Sequence, residues 1–336
     1  MKEIVIPQNL ESWCKTTLQA GAELIQRIEP LRVEASHRTF YRVHTDLRTI
    51  ILMDSPPQLE RNDQFCRLTE LFSAHQIPVG EILGHATDRG FFLLQDLGHT
   101  HLEDLYGSPQ EDLALAAAVS LLPRLGAVTG TAIEPYTTER FAMELSIFEE
   151  WFLDALLNTS LSLDANGPIC AALLSSIKEQ PQCCVHRDYH CRNLLFTDGH
   201  LGVVDFQDAL HGPVMYDIAS LLRDCYYEFP ESVIQRWFNH FLQQTPSLHG
   251  VPSSTTQLWF DWTAIHRQLK AIGIFARLHL RDDKSSHLPF VMPLLNRVMA
   301  LAGEYPSLAP LSELLAECAA VAPARLAHAR NLHHSQ

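Results

Sequence analysis

The fold turns on Val185-His186-Arg187-Asp188-Tyr189-His190-Cys191-Arg192-Asn193-Leu194-Leu195-Phe196, followed by Thr197-Asp198-Gly199-His200 and Leu201-Gly202-Val203-Val204-Asp205-Phe206-Gln207-Asp208. Two short apolar runs, 193–196 and 201–205, flank an Asp-Gly pair, which predicts a tight β-hairpin. Such a hairpin sets Asn193 at the entrance of one strand and Asp205 at the exit of the other. On one rim, the two can share a divalent cation through hard oxygen donors, the type magnesium prefers. Asp188 lies on the loop leading into the hairpin, where a carboxylate can accept or orient the proton of an attacking hydroxyl. Together these are the requirements of phosphoryl transfer.

The H-x-D-x-x-x-x-N pattern, with Asp-Phe-x seventeen residues after its Asp, resembles the catalytic and metal-binding loops of the kinase superfamily. Asp205-Phe206-Gln207-Asp208 running into Gly212-Pro213-Val214-Met215-Tyr216-Asp217 is similar to the aminoglycoside-phosphotransferase-like family. Protein kinases instead carry DFG, a long activation loop and APE. The resemblance implies an α+β, bilobal protein-kinase-like fold with a small β-rich N-lobe and a larger, mainly α-helical C-lobe. It also implies ATP and Mg²⁺ as cofactors, with Asp188 as base and Asn193 and Asp205 as metal ligands. Asp217 opens a helix and, by the same resemblance, braces the catalytic loop.

Within that family the chain resembles the anomeric kinases acting on N-acetylmuramate and N-acetylglucosamine. The resemblance lies in Tyr41-Arg42-Val43, Met53-Asp54-Ser55-Pro56-Pro57, Gln95-Asp96-Leu97-Gly98, Ser220–Tyr226 and Gln268–Leu278. It implies phosphorylation of a sugar C1 hydroxyl in peptidoglycan recycling. The alternatives are a kinase for an aminoglycoside or other small alcohol, and a catalytically silent nucleotide-binding scaffold.

Outside the motif, apolar spacing predicts a helix over 10–28 and strands over 31–34, 39–44 and 49–54. A helix over 59–75 and strands over 81–85 and 90–94 follow. Beyond residue 95 helical patterns dominate, at 112–125, 138–157, 168–179, 232–243, 257–280 and 288–302. This places an N-lobe in 1–95, a hinge in 96–100 and a C-lobe in 101–336.

One departure bears on the nucleotide site. Met53 stands where kinases place the third-strand Lys, so phosphate contact falls to an arginine (Arg38, Arg42 or Arg48), to backbone amides or to metal, and Glu60 or Glu70 can pair with a basic contact. The loop 34–39 lacks glycine, and Ser36 and His37 join Arg38 as phosphate-loop candidates by position. Gln95, Asp96 and Leu97 are the hinge candidates for the adenine edge. Arg192 is a candidate for neutralising the transferred phosphoryl group. Tyr189, His190, Asp208, Arg267 and Lys270 are candidates for the acceptor side.

The bulk properties exclude other classes. Twenty-five basic against 39 acidic residues give a formal charge of −14, contrary to a nucleic-acid backbone binder. None of the eight cysteines forms a CxxC pair, so reduced thiols are expected and a zinc framework is not. No apolar run approaches the ~20 residues of a membrane span. With no signal peptide read at the start, the expectation is a cytoplasmic monomer acting on a small amino sugar.

Overall fold

The computed structural model describes residues 6–31, 37–164 and 167–333, the side chains of 328–333 excepted. The chain divides into two compact units. One runs to Ile133 and takes in Arg192–Asp208; the other comprises Glu134–Cys191 and the residues from Ala209 onward.

In the first unit, α1 (Gln8–Ala20) is followed by β1 (Ile25–Pro30), β2 (Thr39–Thr45) and β3 (Thr49–Asp54). After α2 (Asn62–Ala74) come β4 (Ile82–Ala86), β5 (Phe91–Gln95) and α3 (Glu111–Gly126). The strands form one antiparallel sheet in the order β1-β2-β3-β5-β4. Strand side chains alternate between faces. Tyr41, Val43, Ile50, Leu52, Phe91 and Leu93 point to one side and bury against Leu10, Cys14 and Leu18, which recur every four residues along α1. Met53 pairs with Phe40 and Phe92, and on that face Phe92 meets Phe65 of α2 at 5.6 Å.

The helix expected over 10–28 is corrected here. It stops at Ala20, Ala22 takes a positive φ of 63°, and Ile25–Pro30 pairs with β2. The left-handed residue Ala22, just past Gly21 at the C-cap, ends a helix that apolar spacing alone would prolong. The strand read over 31–34 lies mostly outside the described residues.

The predicted hairpin is present as Leu194–Thr197 paired with His200–Val203. Its turn has Asp198 at φ 53° and Gly199 at φ 81°, the left-handed pair a tight two-residue turn needs. Leu97 packs on Gly202 and Gly80, where an added Cβ would come to 3.1 Å of its neighbours.

The second unit is helical around a three-stranded sheet, in which Leu210–Pro213 lies between Glu134–Pro135 and Gln182–Val185. Its helices are α4 (Thr138–Ile147), α5 (Pro168–Glu179), α6 (Tyr216–Leu222), α7 (Glu231–Gln244), α8 (Ser253–Leu280), α9 (Val291–Gly303) and α10 (Ala309–His333). A π-helical stretch, Phe148–Leu156, continues α4, so the predicted helix over 138–157 is realised with a change of winding. Among the described residues no helix is long and apolar enough to cross a membrane. The eight cysteines are free thiols.

Candidate active site

The loop bearing Asp188 belongs to the second unit and is held by main-chain contacts to buried carboxylates. The Asp217 oxygens accept the amides of His186 and Arg187 at 2.6 and 2.9 Å. Asp224 accepts the amide of Cys191 at 2.9 Å and that of Tyr226 at 2.8 Å. Asp217 thus makes the bracing contact expected of it, and Asp224, part of the Ser220–Tyr226 segment to which the sequence assigns no role, makes a second. Arg187 adopts a positive φ of 78°, a conformation that costs a bulky residue energy and persists where the surroundings hold it.

The surroundings are a buried ionic cluster. Arg187 donates to Glu144 Oε1 at 2.6 Å and Lys270 donates to the same oxygen at 3.0 Å. Tyr136 donates to Glu144 Oε2 and lies 3.0 Å from the Tyr216 hydroxyl. Arg267 donates to the Arg187 carbonyl at 2.5 Å and sits 4.5 Å over the Tyr216 ring. Asp188 itself is half-buried. Burial pushes its carboxyl pKa up; Lys270, then Arg187, Arg267 and His190 pull it down, and it ends far below the ordinary carboxylate range. For Glu144, desolvation raises the pKa, but Lys270 and Arg187 outweigh it and hold it at about 2.

The acceptor-side candidates separate accordingly. Tyr189 is completely buried, its ring edge-on to His186, and lines no open surface. His190 is half-buried against Tyr226, with ring centres 5.4 Å apart. Arg267 and Lys270 are drawn to the loop and to Glu144. Asp208 is exposed at the end of the first unit.

In the first unit, the Asn193 amide stands 3.4 Å from Asp205 Oδ2, and Gln207 donates to Asp205 Oδ1 at 2.7 Å. Asp205 is exposed and in the left-handed region at φ 63°. Both amides turn their NH₂ groups to Asp205; with the Asn193 amide turned over, one carboxylate and one amide oxygen suit a magnesium ion, which keeps most of its shell as water and phosphate oxygen. Arg192 is ion-paired to Glu103 at 3.0 Å.

The nucleotide candidates also sort themselves. Arg42 makes a bidentate pair with Asp96 at 2.7 and 3.1 Å and donates to the Gly98 carbonyl at 2.7 Å. Arg42, Gln95, Asp96 and Leu97 line one concavity of about 770 Å³ with Thr197 and Gly202, a size suited to a nucleotide. Arg38 is buried, pairs with Glu60 at 3.3 Å, donates to Ser55 at 3.1 Å and lies 5.2 Å over the Phe65 ring. Arg48 pairs with Glu23 at the β2–β3 turn. His37 is exposed, and Ser36 lies outside the described residues.

The chain resembles known phosphotransferases over most of its length. The phosphotransferase enzyme family model matches residues 27–251. The N-acetylmuramate/N-acetylglucosamine kinase of Neisseria meningitidis serogroup B is 33% identical, over 84% of this chain and 88% of its own length. The kinase of the same name from Pseudomonas aeruginosa is 34% identical, with 88% of each chain covered. Among solved structures, a choline kinase from Streptococcus pneumoniae matches with a TM-score of 0.62 at 12% identity, over 89% of this chain and 100% of that one. That likeness shows the fold, the protein-kinase-like α+β type.

Proposed function

The chain belongs to the phosphotransferase enzyme family, and from that premise we propose an ATP- and magnesium-dependent kinase that phosphorylates the anomeric C1 hydroxyl of N-acetylmuramate or N-acetylglucosamine. On this reading it serves peptidoglycan recycling as a cytoplasmic monomer. The acceptor follows the names of the relatives at 33% and 34% identity. The chemistry rests on one observation: Asp188 is a half-buried carboxylate kept anionic by fixed cations on a loop braced from both ends.

In the proposed reaction Asp188 receives the proton of the C1 hydroxyl while the sugar oxygen bonds to the γ-phosphorus. The bond from that phosphorus to the β,γ-bridging oxygen breaks, and ADP leaves. A hemiacetal hydroxyl is more acidic than an ordinary alcohol, so positioning and charge complementarity carry most of the acceleration. Asn193 and Asp205 would hold magnesium, which when bound neutralises charge on the phosphate oxygens. Arg42, Gln95, Asp96 and Leu97 take the base and ribose side of the nucleotide. Arg38, with Glu60 as its counter-ion, takes the phosphate side. Arg192 gives up Glu103 to meet the transferred phosphoryl group.

An acceptor screen with purified protein, ATP and Mg²⁺ tests this, with ADP release followed and the new phosphate located by ³¹P and proton NMR. Phosphate at C1 of either amino sugar is expected. Turnover confined to aminoglycosides or other alcohols would overturn the acceptor assignment and leave the reaction type standing.

A further inference from the structure

Helices α4 and α8 meet where no side chain separates them. A Cβ on Gly273 would stand 2.5 Å from the Ile147 carbonyl oxygen and 2.7 Å from the Phe148 amide nitrogen, so this approach requires glycine. It falls where α4 gives way to the π-helical stretch. Three residues earlier on each helix stand Lys270 and Glu144, joined at 3.0 Å. The two contacts, 144 with 270 and 147 with 273, step together. The close crossing therefore decides where the Lys270 ammonium is delivered. Glu144 takes donors on both oxygens, and the Lys270 side chain, 12% exposed, also reaches the Tyr216 hydroxyl at 3.5 Å. An ammonium held in this way is poorly placed to be a substrate's first contact. It is well placed to act on the loop beside it.

We propose that Lys270, clamped by Glu144 through the Gly273 crossing, is a positioning residue for Asp188, sharing Glu144 Oε1 with Arg187 so that the carboxylate next in the loop stays aimed at the acceptor. This rests on the reading of Asp188 as the proton acceptor. The charged groups facing Asp188 are Lys270 and Arg267 from α8 and Arg187 and His190 from its own loop. Glu144 of α4 and Asp217 of α6 stand behind the two arginines as their counter-charges. Of the cations Lys270 exerts the strongest pull. No other ammonium lies near in the sequence, since the preceding lysine is Lys178 and the following one Lys284.

The test uses the full chain with Lys270→Met, Lys270→Gln and Lys270→Arg, assayed for kcat and KM with N-acetylglucosamine and ATP from pH 5.5 to 8.5. Asp188→Asn runs alongside, and thermal melts confirm that each variant is folded. Removing the ammonium leaves Glu144 Oε1 to Arg187 alone, so the residue next to Asp188 loses its fixed anchor and the carboxylate its aim. Lys270→Met and Lys270→Gln should then lose kcat by about 100-fold at neutral pH, the scale of general-base effects. The loss should be even across the pH range, since Arg187, Arg267 and His190 still face Asp188, with acceptor KM within about threefold, because the missing interaction belongs to the transition state. Lys270→Arg should restore most of kcat.

If the neutral variants raise acceptor KM and leave kcat alone, or if the loss of kcat deepens steeply as pH falls, the proposal fails, because Lys270 is then a substrate contact or acts on the protonation of Asp188. It fails equally if they lower only the melting temperature. Turnover by Asp188→Asn would instead remove the base assignment itself, an outcome distinct from either. Lys270→Gln keeps a polar side chain in the cluster, so the question stays answerable if the Met variant does not fold.

Discussion

Asp217 and Asp224, seven residues apart, hold opposite ends of the Asp188 loop: the first accepts the His186 and Arg187 amides, the second the Cys191 amide. Both carboxylates are buried, and the second is wholly so. Each replaces, for a loop without regular structure, the partners that a strand would offer its backbone. These contacts brace the loop through its main chain, with Arg187 adding a side-chain tie to Glu144, and leave the Asp188 carboxylate for chemistry.

Asp217→Asn should be costly although it changes one atom. Two N–H donors point at two oxygens, and a carboxamide offers one oxygen and one NH₂. The substitution sets donor against donor and leaves a buried amide unsatisfied, worth about 1–3 kcal/mol. Urea unfolding should show that loss, and kcat should fall more than KM rises because the misplaced group is Asp188. Unchanged stability would mean that the loop is held elsewhere.

Stability should fall in mild acid through His266. Its Nε2 faces the Phe141 carbonyl at 3.0 Å, and its ring meets that of Phe141 edge-on. Burial pushes the imidazole pKa down to about 4, against the pull of Glu144. Below its ordinary pKa of 6.5 the unfolded chain binds a proton that the folded one refuses. The stabilisation present above pH 6.5 is then lost as pH falls toward 4, by roughly 3 kcal/mol in all. His266→Gln, which keeps a donor for Phe141, should flatten the decline in melting temperature between pH 7 and 4.5. An equally steep decline would place the acid sensitivity in other groups.

What could be read from the chain follows the range over which the physics acts. Thr49–Asp54 and Pro168–Glu179 were legible in full because strand and helix periods are local. The Asp198-Gly199 turn carried its own backbone requirement. The chemistry-bearing trio Asp188, Asn193 and Asp205 sits within eighteen residues, so their spacing was informative. Glu144 was not legible: its partners Arg187 and Lys270 are 43 and 126 residues away, and nothing near Glu144 marks it as buried. Arg267 and Lys270 are acceptor-side candidates by sequence, but whether they meet solvent, substrate or loop depends on α4. Residues 25–30 misled because an isolated Ile-x-x-Ile spacing suits a helix end as well as an edge strand.

Asp205→Asn tests the proposed metal site. The substitution keeps an oxygen near Asn193 and Gln207 but removes the carboxylate charge that a magnesium ion needs. Nucleotide affinity measured calorimetrically should become nearly independent of Mg²⁺, with turnover lost. Retained magnesium dependence would assign the metal to other oxygens.

The three arginines offered as substitutes for the absent third-strand Lys can be told apart by what each already touches. Arg48 serves the β2–β3 turn through Glu23, and its side chain is half exposed. Arg42 is committed to Asp96 and the Gly98 carbonyl at the edge of the concavity. Arg38 enters two residues before Phe40, the cross-strand partner of Met53, and stacks on Phe65, which also touches Phe92 on the other side of Met53. It therefore brings its guanidinium to the sheet face that Met53 occupies, with Glu60 as counter-ion. A cation fixed by a carboxylate is poised to meet phosphate oxygens. Arg38→Met should weaken Mg·ATP binding by about tenfold, one charge-assisted contact. Its effect on adenosine binding should be small, and Arg48→Met should leave both unchanged. Arg42→Met should weaken adenosine and ATP alike. Equal losses for adenosine and ATP in Arg38→Met would make Arg38 a structural support of α2 and leave the phosphate contact to another group.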